Sequence, residues 1–166
     1  MDKNRPIIFM DHDGVICLAT EWGSRFKNKE GFDGLFDRFN EKAIKVLNQI
    51  IDETDCEIVI SSDWRFHATL SQMQQLYKER GIGKPPIAYT RSDLDWKLFI
   101  NINPNKELEE TRIAEINSYV EEHKIKKWVA VDDMDLSKLK NFVQTPRSKE
   151  GIKQSGIKEK IINFLK

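Results

Sequence analysis

The chain has 166 residues, enough for one domain with a full hydrophobic core and too few for two comfortable ones. Its 39% apolar and 33% charged residues are ordinary for a globular protein, and 27 basic residues balance 27 acidic ones, so net charge announces neither a nucleic-acid nor an acidic-membrane partner. Cys17 and Cys56 stand in no CxxC or metal spacing, which argues against a disulfide framework and a thiolate zinc site and fits a reducing compartment. MDKNRP runs straight into apolar residues without a signal-type h-region, and no apolar run approaches ~18 residues, so a cytoplasmic protein with no membrane partner is expected.

In chain order, Pro6–Met10 reads as a buried strand that ends in the DHDG of residues 11–14. Residues 15–39 are irregular, rich in Gly, Lys and aromatics, and read as a flap. Asn40 has the chemistry of an N-cap, with Ala43, Ile44, Leu47, Ile50 and Ile51 on one helical face behind it. Glu57–Ile60 is a second strand that stops abruptly in SSDWR. Leu70, Met73, Leu76 and Tyr77 mark a helix stopped by Gly81. Residues 85–90 (PPIAYT) suggest a third strand, and 91–110 form a polar insertion. Ile113, Ile116 and Val120 mark a third helix, and Trp128–Val131 a fourth strand ending in DDMD. Phe142–Thr145 reads as a fifth strand, and Ile157, Ile161, Ile162 and Leu165 as a closing helix.

Strand and helix alternate throughout. The expected fold is therefore α/β, a doubly wound, mostly parallel sheet with helices on both faces, forming a single domain over 1–166. Ligands of such sheets bind outside the carboxyl ends of the strands. Three strands end there in polar residues: Asp11 and Asp13, Ser61 and Ser62, Asp132 and Asp133. Two unit charges ~4 Å apart repel by about 4 kcal/mol in a surface-like medium, so four carboxylates at one rim call for a cation. An all-oxygen set without imidazole or thiolate favours Mg²⁺, which suits a phosphate substrate. An EF-hand does not fit, because Ile16 and Trp22 occupy the positions that need its glycine and glutamate. His12, His67 and His123 have no zinc spacing.

The order strand–DxDG, strand–Ser, basic residue, strand–DD resembles the haloacid dehalogenase (HAD) superfamily of phosphohydrolases, from Ile7 to about Ile152. More narrowly, ISSDWR, the basic residue about 20 positions before DD, and the closing FVQT…GI resemble small HAD domains associated with RNA repair. The resemblance implies that Asp11 is the nucleophile, forming an aspartyl-phosphate, and Asp13 the general acid/base. It implies phosphate binding by Ser61 or its neighbour Ser62, and metal binding by Asp11, Asp13, Asp133 and Asp132, with Asp133 favoured as the direct Mg²⁺ ligand. The basic motif falls best on Arg112, a departure from the usual lysine, with Lys106 and Lys97 as alternatives. Arg65 is a further candidate phosphate ligand.

Around these, His12 is expected to point away from the chemistry, because alternate residues of an extended segment face opposite ways. Trp64 is expected to pack, Cys17 to be an inert small hydrophobe, and Trp22 to stack on a base or anchor the flap. Neither gap between motifs holds a large cap domain, so the site is expected to be open and the substrate a nucleotide, a nucleic-acid end or another phosphomonoester. From Lys138 to Lys166 eight basic residues face Glu150 and Glu159, an excess that suits a phosphodiester backbone or a solvated helix face. Two alternatives stand beside the phosphatase: a non-catalytic phosphate- or nucleic-acid-binding module, which would be expected to lose one of these aspartates, and a receiver domain, in which the acidic pair comes first.

Overall fold

The computed structural model describes residues 5–18, 39–90, 108–146 and 149–166. Five parallel strands form one sheet in the order β3-β2-β1-β4-β5, with β1 at Ile7–Met10, β2 at Glu57–Ile60, β3 at Pro86–Tyr89, β4 at Trp128–Asp132 and β5 at Phe142–Gln144. The helices are α1 (Glu41–Thr54), α2 (Leu70–Glu79), α3 (Leu108–His123) and α4 (Ile157–Leu165). Trp22, Lys97 and Lys106, most of the 15–39 segment and residues 91–107 lie outside the described residues.

The helix starts follow the chemistry of their first residues. Asn40 Oδ1 accepts from the Ala43 amide at 3.0 Å, and Thr69 and Gln72 form a reciprocal capping box at α2. α3 begins earlier than Ile113: Leu108, Glu109 and Glu110, assigned from sequence to the polar insertion, are its first turn. Two glutamates there complement the positive end of the helix dipole.

Alternation along β1 sends Ile8 and Met10 to one face of the sheet and Ile7 and Phe9 to the other. The first face buries Leu47 and Ile50 of α1, Met73 and Tyr77 of α2, and Ile161 of α4. On the second, Phe9 meets Tyr119 of α3 and Trp128 edge-on, with ring centroids 5.7 Å apart in each case. Each fully buried Leu or Ile contributes about 1.5–3 kcal/mol. The buried stripe of α3 differs from the apolar one expected. It carries Arg112 and Glu115 beside Ile116 and Tyr119, while Ile113 and Val120 are only partly buried. The two charges are tolerated because both find partners beneath the helix.

Register and winding together place the site. Met10 pairs with Ile60 on one side and with Val131 on the other, so Asp11, Ser61 and Asp132 follow at one level. The connection leaving β1 runs over the first face towards β2, and the one leaving β4 runs over the second towards β5. The crevice between those diverging connections opens where both strands end in aspartates.

Candidate active site

The turn after β1 is tied down by its own backbone. Asp11 continues the ladder by donating its amide to the Val131 carbonyl at 3.0 Å. The His12 carbonyl then accepts from the amides of Val15, Ile16 and Cys17 at 2.8–3.1 Å. Val15 and Ile16 are fully buried, so the segment expected to be a flap opens with a core turn. Cys17 is buried and in no disulfide. Gly14 has φ +76°, and a Cβ there would lie 2.4 Å from Asp133 Oδ2. Only glycine allows both the turn and that approach.

Asp11, Asp132 and Asp133 each present a carboxylate oxygen, all within 4.8 Å of one another. Asp13 stands outside this trio, and its Oδ2 accepts from Trp64 Nε1 at 3.2 Å. Arg112 supplies the counter-charge, with Nη1 2.7 Å from Asp132 Oδ2 and 3.3 Å from Asp11 Oδ1, and Nη2 2.8 Å from Asp63 Oδ1. The other oxygen of Asp132 accepts from the Met134 amide at 2.9 Å, so both its oxygens are occupied. Burial, then the charge of Asp132, push the Asp11 carboxyl well above its ordinary range; Arg112 opposes them, and Asp13 and Asp133 add to the rise. Hard oxygen donors at this spacing, with one carboxylate held back from ionising, fit a divalent cation such as Mg²⁺.

Beside this cluster, the two serines are buried and differently occupied. Ser62 caps the 3-10 turn Asp63–Phe66, its Oγ accepting from the Trp64 amide at 3.4 Å. The Ser61 hydroxyl carries no such capping role. Arg65, expected among the phosphate ligands, is committed elsewhere. It donates to the carbonyls of Ser61 and Ser62 and pairs with Glu115 at 2.5 Å, both side chains almost wholly buried. It therefore fixes the serine turn to α3, where Glu115 lies one turn beyond Arg112. Glu115→Gln is expected to lower stability by about 1–3 kcal/mol in urea melts, since the amide keeps a hydrogen bond but leaves a buried cation uncompensated.

His12 lies on the far side of the turn, as alternation required. It is fully buried, with Nε2 2.9 Å from the Tyr77 hydroxyl. Burial, with the charge of Arg112 second, lowers its pKa to about 3, so it is a neutral packing group. Trp64 stacks on it at 4.6 Å between centroids and also touches Phe39. The tryptophan expected only to pack thus also binds a site carboxylate.

The C-terminal segment braces the same turn. Thr145 Oγ1 donates to the Gly14 carbonyl at 2.9 Å, and the Ile152 amide to the Val15 carbonyl at 3.0 Å. Asp63, Glu115 and Thr145 were not singled out individually from sequence. Asp63 and Thr145 stand inside quoted motifs, whereas Glu115 gives no local signal. A cleft of about 560 Å³ opens beside Asp133, lined in part by Glu109, Asp135, Gln144, Thr145 and Gln154.

A parallel α/β sheet with DxDG after its first strand and DD after its fourth, meeting at the switch point, defines a HAD-type domain. The model of the family described as the HAD domain in Swiss Army Knife RNA repair proteins matches residues 7–156, and the chain belongs to that family. Membership points to phosphohydrolase-type chemistry in general, and domains of this class typically use Mg²⁺. No curated protein and no solved structure matches the chain significantly. No helix among the described residues is long and apolar enough to cross a membrane.

Proposed function

We propose that the protein is a Mg²⁺-dependent phosphomonoesterase that works through an aspartyl-phosphate on Asp11. The observation carrying this reading is the convergence of Asp11, Asp132 and Asp133 within 4.8 Å beside Arg112. Mg²⁺ held by these carboxylates would offset the repulsion between an anionic nucleophile and an anionic phosphoryl group. Asp11 attacks phosphorus in line and the ester bond to the leaving oxygen breaks. Asp13 gives that oxygen its proton, then takes one from the water that hydrolyses the acyl phosphate. Ser61 holds a phosphoryl oxygen, and Arg112 shares its charge between Asp11 and the bound phosphate. The family's description favours RNA ends bearing a phosphomonoester as substrates.

The test is phosphate release from 4-nitrophenyl phosphate and from 3′- and 5′-phosphorylated oligoribonucleotides, with and without EDTA. Turnover that EDTA abolishes and Mg²⁺ restores is expected. Binding of phosphorylated ends without turnover of any substrate would instead identify a binding module.

A further inference from the structure

We propose that Trp64 is a positioning residue for Asp13: its indole N–H holds the carboxylate in the geometry needed for proton transfer to the leaving group. This rests on the phosphomonoesterase reading above. Trp64 Nε1 lies 3.2 Å from Asp13 Oδ2, within hydrogen-bond reach across 51 residues of chain. The indole is itself locked in place. One face stacks on His12 at 4.6 Å and 25°, and Phe39 lies 5.6 Å away. His12 is held in turn by the Tyr77 hydroxyl at 2.9 Å, and the backbone of Trp64 by the Ser62 cap. The turn after β2 thereby sets the orientation of a carboxylate on the turn after β1.

The chemistry gives this contact a consequence beyond packing. An indole N–H is a donor only, so it binds the oxygen of Asp13 that does not carry the proton. With Oδ2 so engaged, Oδ1 is the oxygen through which Asp13 exchanges a proton with the leaving group. From there the proton passes to the leaving oxygen as the P–O bond breaks, and Oδ1 later receives the proton of the attacking water. Losing the indole donor removes the contact that assigns the proton to one oxygen. The harm should fall on leaving groups that need a proton. A 4-nitrophenolate leaves as a stabilised anion, whereas phenol, with a pKa near that of tyrosine at about 10, benefits from protonation.

The experiment compares kcat/KM of wild type and Trp64→Phe on 4-nitrophenyl phosphate and phenyl phosphate, using one preparation of each protein. The ratio between the two substrates does not depend on how much of a preparation is folded, so a destabilised variant still gives an answer. Trp64→Phe is expected to lose roughly tenfold more on phenyl phosphate, within the 10²–10⁴ that general acid catalysis supplies. Asp13→Asn should show the same bias, more strongly. Equal losses on both substrates, or none, would overturn the positioning role while leaving the phosphatase reading intact. Absence of turnover by wild type on both substrates would remove that reading and this inference with it.

Discussion

Asp11→Asn is expected to abolish phosphate release while making the cation-free protein more stable, not less. Loss of a nucleophile typically costs roughly 10⁴–10⁶ in kcat. The stability gain follows from the environment of the carboxylate. Burial, then Asp132, raise the pKa of Asp11 in the folded state, with Asp13 and Asp133 adding to the rise against Arg112. The native state therefore retains a proton that the unfolded chain has released. Stability is lost as pH rises from the ordinary carboxylate pKa towards the raised one, and the native protein carries that penalty above it. Asparagine cannot ionise and removes the penalty. Arg112 still keeps Asp132 at 2.7 Å and Asp63 at 2.8 Å. Thermal melts in EDTA across pH 4–8 should show the wild type falling towards neutrality relative to the variant. Mg²⁺ should raise the wild-type midpoint and barely move that of the variant. A variant less stable at pH 8, with an undiminished Mg²⁺ response, would refute this account of the cluster.

Arg112→Met is expected to do the opposite, destabilising the fold by about 3–5 kcal/mol in urea melts without Mg²⁺. The side chain is buried and lies against Asp11, Asp132 and Asp63, so its removal leaves two buried carboxylates facing one another. Added Mg²⁺ should return part of the loss, because a cation there supplies the missing charge. Arg112→Lys should be intermediate. One ammonium can meet Asp132 or Asp63, whereas the guanidinium fork reaches both from separate nitrogens. If Arg112→Met retained full stability and activity, the basic motif would return to Lys97 or Lys106.

These two variants pull in opposite directions because the crevice has an excess of carboxylate, and Arg112 is its resident counter-charge among the described residues. An excess of this kind is costly to a protein that only needs to fold. Its persistence beside Gly14, where a Cβ would collide with Asp133, makes sense if a cation is meant to bind there.

Much of this was legible in residue order. Short apolar runs and period-3.6 patterns located the five strands and four helices among the described residues, because each apolar stripe must be buried against another layer. DxDG and DD after two of those strands gave the family, and the alternation of elements put their carboxylates at one rim. The polar partners were not legible. Arg65 reads from sequence as a phosphate ligand, but its charge is met by Glu115, which lies 50 residues away and carries no motif. Trp64 reads from sequence as core, but its N–H reaches Asp13. A sequence records periodicity, which is local, and so it determined the sheet, its winding and the place of the acidic rim. Which donor meets which acceptor depends on side chains that approach only after distant turns have packed, and that was decided by the tertiary structure alone.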